Sequence, residues 1–494
     1  MYISKIRLVN FRCFEGKEEL IFCPGVNYFV GNNNSGKTTV FKAIEFLKFG
    51  KTKDGWITKG KEDEEITVEI IIKGNDLKDF LEKEDLKKYK PYLINNTEII
   101  LRRSSEVTTW KDSRGKTKEI SIRNISVYNP QNNIFENPTG ADNMISALFD
   151  AQFVYSDLNN EDFQKFGKST TIVGKLINVI TKDFQKSDKW KNFEAAHSDT
   201  FGDAGLVGTL NKLQDQVEEI MENQYGKTKV EFSFGIPTID NFFKTGQILL
   251  EDNGIKTEAS EKGTGMQRAL ALTLIQVYSQ IDESETEVSK PVFFFIDEPE
   301  TFLHPTAQNK LLKSLNKISE KNQVFITTHS SYLLKNFNAS SNKLCIFSRN
   351  EDYPRIIEDV SLNMFPHSPT WGEINYRAFH VASVEFHIEL FGFLHKKAIQ
   401  EGKTYNNGQN TVCKSISSFD KWLIEQDSSL IVDDNHQNVF RNNTDQSMST
   451  YIRNYLDHPG EDNSLPKGKY RNPPTTEEIK NSIESMLNIL EENF

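Results

Sequence analysis

Residues Gly31, Asn32, Asn33, Asn34, Ser35, Gly36, Lys37 and Thr38 match the pattern G-x-x-x-x-G-K-[ST], which is built to hold phosphate. Its glycines let backbone N–H groups face the anion, and the following helix N-terminus adds a favourable field. Lys37 is expected to reach β- and γ-phosphates, and the Thr38 hydroxyl to ligate Mg²⁺. Asn32 through Thr39 are thus the expected nucleotide contacts. The flanks agree with this reading. Gly25–Gly31 predicts a short apolar strand, and Val40, Ile44 and Leu47 fall at helical spacing over Thr38–Phe49.

Three other short runs carry compatible chemistry. The apolar run Val292–Ile296 ends in Asp297 and Glu298. Asp297 is placed to hold Mg²⁺ through its water shell, and Glu298 to polarise an attacking water. Gly263, Thr264, Gly265, Met266, Gln267 and Arg268 open a predicted helix, giving a second glycine-rich anion site. Thr327, Thr328, His329 and Ser330 follow a second apolar strand, Val324–Thr328, which offers His329 to a phosphate.

Several elements must position these groups. Stretches at Tyr2–Val9, Glu65–Ile72, Thr97–Arg102 and Lys118–Arg123 alternate like half-buried strands. The pattern then turns helical and polar from about residue 158 to 226, with Leu210, Leu213, Val217, Ile220 and Met221 at helical spacing. Strands are expected again at Lys229–Phe234 and Gln247–Leu250. The uninterrupted apolar strands at Val292–Ile296 and Val324–Thr328, separated by a helix, indicate a parallel sheet covered on both faces. Beyond about residue 365 the chain reads as helical with polar linkers. Thr475 and Glu478 form a capping box ahead of the stripe Ile479, Ile483, Met486, Leu487 and Leu490.

Bulk properties narrow the class. A chain of 494 residues is expected to fold as two or three substructures. The cysteines Cys13, Cys23, Cys345 and Cys413 show neither CxxC spacing nor a histidine cluster, which argues against a zinc site or a disulfide framework. No segment reads as a signal peptide or a membrane span, so a cytoplasmic protein is expected. A net charge of −11 gives no compositional reason to propose nucleic-acid binding, although a local basic groove is compatible with it.

Lys37 and Asp297 stand 260 positions apart, with β-rich, helical and again β-rich sequence between them. That layout resembles ABC-type ATPases of the structural-maintenance, RecF and OLD group, in which an insertion splits two lobes. Lys5–Arg12 resembles the opening strand of the group, Gly263–Arg268 its signature motif, and His329 its switch histidine. Asp297–Pro305 resembles the OLD and AAA-15/AAA-21 branch, frequent in bacterial anti-phage systems. No TOPRIM nuclease acids are recognised after residue 345, and only Gln152 offers itself as the glutamine-loop residue.

The resemblance implies an α/β fold: an ABC-type P-loop ATPase with a mixed or parallel sheet core, a β-rich and helical insertion, and an α-helical C-terminal domain. The implied segments are a first lobe at 1–48, a β-rich subdomain at 49–155, a helical insertion at 156–227, a second lobe at 228–360 and a helical domain at 361–494. It also implies ATP and Mg²⁺ as cofactors, with Thr38 and Asp297 as metal ligands. Lys37, Glu298 and His329 become the catalytic set. Gly263, Thr264, Gly265 and Gln267 then act in trans, so that ATP is held between two copies in a homodimer or a higher even-numbered oligomer.

Near the C-terminus, Arg453, Asn454 and His458 resemble the R-N-x-x-x-H motif of HEPN domains, helical modules that are often dimeric ribonucleases. Pro459 restricts the backbone of His458 and is expected to end the helix there. Three readings share the ATPase. One is a sensor or scaffold controlling a separately encoded effector nuclease in anti-phage defence, similar to the ATPase subunits of Septu and PARIS. Another is a self-contained toxin whose HEPN-like module is gated by ATP. The third is a DNA-maintenance ATPase similar to RecF.

Overall fold

A computed structural model of the chain describes residues 1–494 except 84–85, 113, 157–173, 175, 177–180, 182–183, 203–204, 225, 233–245, 247, 281–289, 302, 336, 350–353, 358–361, 407, 409, 433–444 and 458–471. The chain divides into two compact units, Met1–Ser146 with Phe325–Phe494, and Ala147–Val324.

The first unit begins with β1 (Tyr2–Phe11), β2 (Phe14–Ile21) and β3 (Val26–Gly31), then α1 (Thr39–Phe49). The strands β4 (Thr67–Lys73), β5 (Glu98–Ser104), β6 (Ser126–Asn129) and β7 (Ile134–Glu136) follow. They form an antiparallel sheet in the order β2-β1-β4-β5-β6-β7. Alternation explains why β1 belongs there: Ile6 and Leu8 are fully buried, while Arg7 between them pairs with Glu19 and Glu69 on the neighbouring strands. The segment expected as a strand through Arg123 stops at Ile120, where Asn124 closes a turn onto Ser121.

The second unit contains β8 (Asp150–Val154), α2 (Asp188–Phe201), α3 (Leu206–Gln224), α4 (Thr264–Gln280), β9 (Val292–Asp297) and α5 (Pro305–Ser319). Strands β8 and β9 run parallel, Asp150 beside Val292 through Val154 beside Ile296. Phe293 to Ile296 are fully buried, as an apolar run in a parallel pair requires. A hairpin of Leu249–Asp252 and Ile255–Glu258 precedes α4. The strand expected at Lys229 does not form across Lys229–Phe232. There the Val230 N–H donates to Glu218 Oε1 rather than to a strand partner; Ser233–Phe234 lies outside the described residues.

Strand β10 (Gln323–Thr328), buried along its whole length, carries the chain from the second unit back to the first. There β11 (Asn342–Arg349) runs parallel to β3 and β12 (Pro354–Ile357) antiparallel to β11. Among the described residues five helices follow: α6 (Trp371–Phe379), α7 (Val384–Gln400), α8 (Ile416–Gln426), α9 (Met448–Asp457) and α10 (Thr476–Asn493). Their apolar faces meet at Phe386, Leu390, Leu394, Phe419, Leu423 and Ile483. The expected capping box at the start of α10 is present: Glu478 N–H donates to Thr475 Oγ1, and Thr475 N–H to Glu478 Oε2. Among the described residues no helix is long and apolar enough to cross a membrane.

Candidate nucleotide site

The loop between β3 and α1 is shaped by backbone that only particular residues tolerate. Gly31 has φ +143° and lies so close to Phe347 that a Cβ would sit 2.1 Å from its carbonyl oxygen. Gly36 has φ +97°, and a Cβ there would meet Cys13 Sγ and Phe14 Cζ at 2.8 Å each. Asn34 takes the left-handed conformation that asparagine accepts more readily than most residues. Thr38 stands at the N-cap of α1 without a capping side-chain hydrogen bond.

The resulting loop leaves several donors without a protein acceptor. Among the described residues the N–H groups of Asn33, Asn34 and Gly36 meet no protein acceptor. Ser35 is fully buried, yet its hydroxyl also has no protein partner. For the Ser35 hydroxyl, a buried group left unmatched is unfavourable by about 1–3 kcal/mol, and an anion accepting from it removes that cost. Lys37, only 5% exposed, donates from Nζ to the carbonyls of Gly31 and Asn32 at 3.0 Å each. Cys13 backs the loop, 3.4 Å from Thr39 Oγ1, and burial pushes its thiol pKa upward.

The acidic pair lies in the second unit. Asp297 ends β9, is 6% exposed, and accepts a hydrogen bond from Ser156 Oγ at 3.1 Å. Glu298 follows with φ +43°, a conformation rarely held by a glutamate without support. Its carbonyl accepts from Arg268 at 2.7 Å, and Thr301 Oγ1 donates to its Oε2 at 3.4 Å. Among the described residues no cluster of three or more His, Cys, Asp or Glu side chains could hold a metal. A buried carboxylate such as Asp297 suits Mg²⁺, which binds through one or two carboxylates together with phosphate oxygens and water.

Gly263 and Thr264 are exposed at the start of α4, and Met266 is 47% exposed beside them. Gln267, expected among the outward contacts, is instead 8% exposed and turned inward. Its amide donates to the carbonyls of Ser260 and Lys262 and braces the turn. The reason is position: Gln267 lies on the buried side of the first helical turn, whereas Thr264 begins it. Sequence reasoning missed Ser156, because nothing marks a lone serine 141 positions from its aspartate.

The remaining expected residues take varied places. His329 is exposed directly after β10. Gln152 is buried within β8 and donates to Asp150 Oδ2, so it belongs to the strand rather than to a loop. Arg453 is paired with Asp457 at 2.5 Å and donates to Asn454 Oδ1 at 2.8 Å. Helix α9 ends at Asp457, and His458 lies outside the described residues.

A family profile described as the AAA ATPase domain, AAA_15, matches residues 1–334. The Old nuclease of Escherichia phage P2 is 28% identical over 351 residues, covering 67% of this chain. The chain spans only 57% of that relative's length. RecF, the DNA replication and repair protein of Clostridium botulinum, is 23% identical over 357 residues, covering 64% of this chain and 91% of RecF. A solved Smc head bound to the C-winged helix domain of ScpA has 16% identity and a TM-score of 0.44, covering 72% of this chain and 97% of that one.

Proposed function

Because the chain belongs to the AAA_15 family of AAA ATPase domains, we propose that it binds ATP with Mg²⁺ and hydrolyses it between two copies of itself. The observation that carries this reading is the loop at Asn33–Gly36, where the N–H groups of Asn33, Asn34 and Gly36 and the buried Ser35 hydroxyl meet no protein partner. In this reading Lys37 leaves the carbonyls of Gly31 and Asn32 for β- and γ-phosphate oxygens. Thr38 and Asp297 hold Mg²⁺. The ion, when bound, draws charge from the phosphates. Glu298 accepts the proton of the attacking water as the new P–O bond forms and the bond to the β-phosphate oxygen breaks. His329 contacts the γ-phosphate from its exposed place after β10. The turn at Gly263, Thr264 and Gly265, exposed at its first two residues, serves the partner copy's nucleotide.

The biological role we infer is a sensor or scaffold whose ATP state controls a separately encoded effector nuclease in anti-phage defence. The similarity to an Old nuclease supports the setting, and the extra helical domain, α6 to α10, supplies a surface that a partner could read. A HEPN-type ribonuclease finds less support, since Arg453 is occupied by Asp457 and Asn454. The RecF similarity favours DNA maintenance as a second reading, tested by stimulation of ATP turnover with duplex DNA.

The decisive experiment is Glu298→Gln with ATP and Mg²⁺ on gel filtration. Binding survives while water activation fails, so the larger species should accumulate. A monomer there contradicts the composite site.

A further inference from the structure

Arg268 is the last residue of the glycine-rich signature run, four positions beyond Thr264, hence about one helical turn along α4. Its guanidinium does not face the exposed turn. One nitrogen donates to the carbonyl of Glu298 at 2.7 Å and to that of Thr301 at 3.3 Å. The other donates to the carbonyl of Ser156 at 2.7 Å. Ser156 in turn donates from Oγ to Asp297 Oδ2 at 3.1 Å. One side chain therefore grips the backbone on both sides of the acidic pair: the serine that orients Asp297, and the glutamate held in a left-handed conformation.

We propose that Arg268 is a positioning residue that couples the signature turn of one protomer to the acidic pair of the same protomer. This deepens the composite-site reading and rests on it. In a two-fold dimer the Thr264 turn serves the partner's nucleotide, while Asp297 and Glu298 serve the protomer's own. A shift of the first turn of α4 on phosphate contact moves the guanidinium fork, and with it the Glu298 and Ser156 carbonyls. Each nucleotide thereby sets the catalytic geometry of the other site, and turnover becomes cooperative in ATP.

The chemistry of the fork explains why arginine stands here. Its planar donors satisfy carbonyls in two different segments at once, which a lysine ammonium on a flexible stem holds less rigidly. Burial lowers the pKa of the guanidinium, while the nearby Glu300, Glu298 and Asp297 oppose that shift and favour its charge. Glu298 depends on this hold most, because its φ of +43° lacks the intrinsic preference that glycine would supply.

The test uses the full chain and four readouts: ATP-dependent self-association, binding of a fluorescent ATP analogue, kcat, and the Hill coefficient of turnover. Arg268→Gln should bind nucleotide and self-associate within twofold of wild type, measured in the Glu298→Gln background. Its kcat should fall on the order of 100-fold, the scale expected when a catalytic group is misplaced by about an ångström. Its Hill coefficient should fall to 1, and Arg268→Lys should lie between. Should Arg268→Gln fail to fold, Arg268→Lys carries the test: it keeps the charge but loses the fork, and should lower both kcat and the Hill coefficient while binding is kept. Parallel loss of binding and turnover would reduce Arg268 to a structural prop and overturn the proposal. So would an unchanged Hill coefficient, or a wild type that associates yet turns over without cooperativity. A wild type that never associates with ATP defeats the composite site itself, which is a separate result.

Discussion

Arg103 on β5 donates from Nε to the carbonyl of Leu47, in the last turn of the helix that follows the glycine-rich loop, at 3.0 Å. A second nitrogen donates to the Ile122 carbonyl at 2.6 Å. The guanidinium is buried, and burial lowers its pKa to about 10, so it keeps its charge at neutral pH. A cation at this end of α1 also meets the negative pole of the helix. Arg103→Met should therefore orphan two carbonyls and lower stability by roughly 2–4 kcal/mol. Urea unfolding measures this; a loss below 1 kcal/mol would show the contact to be incidental.

The glycine-rich loop makes a sharper demand on Gly36. Alanine there would adopt φ +97° and press on both Cys13 and Phe14. Gly36→Ala should lose nucleotide binding, as Lys37→Ala should, and the strain should cost roughly 1–3 kcal/mol of stability. Adding Cys13→Ala removes one clash but neither the Phe14 contact nor the backbone strain. Calorimetric titration with ATP should find the double variant still impaired; full recovery would refute the backbone argument.

A pH effect is expected in the helical bundle. His387 is fully buried, its Nε2 3.0 Å from Ser482 Oγ, and Ser482 Oγ lies 2.7 Å from Ser449 Oγ. Burial lowers its imidazole pKa to about 3, against an ordinary value of 6.5. Between those values the unfolded chain binds the proton and the folded one does not. Stability is thus full above pH 6.5 and falls with acidification, by about 1.4 kcal/mol per pH unit from this group alone. Urea midpoints at pH 7 and pH 5 should differ less for His387→Gln than for wild type. Equal slopes would remove His387 as the cause.

Arg453 bears on the choice between scaffold and ribonuclease. Its pair with Asp457 is a half-exposed i,i+4 contact worth about 0.3–0.5 kcal/mol. Arg453→Ala should leave the fold intact and, under the scaffold reading, leave the effect of the chain on host cells unchanged. Loss of both toxicity and RNA cleavage in that variant would favour the ribonuclease.

Motifs with local chemistry were readable without coordinates. The run Gly31–Thr38 announces its loop because glycine and lysine at that spacing serve few other ends. The capping box at Thr475 likewise depends only on residues three apart. Continuous apolar runs such as Phe293–Ile296 declare a buried strand because one without alternation must be covered on both faces. Lys229–Phe232 misled because alternation alone creates no strand partner, and the Val230 N–H donates to Glu218 instead.

From sequence alone came the glycine-rich loop between a strand and a helix, the acidic pair at a strand end and the helix that opens at Thr264, each of them a contiguous segment. Tertiary structure decided which way Gln267 turns, that Ser156 holds Asp297, and that Arg268 grips Glu298. Those relations join residues as far as 141 positions apart, and they depend on how strands and helices pack, which no local spacing encodes.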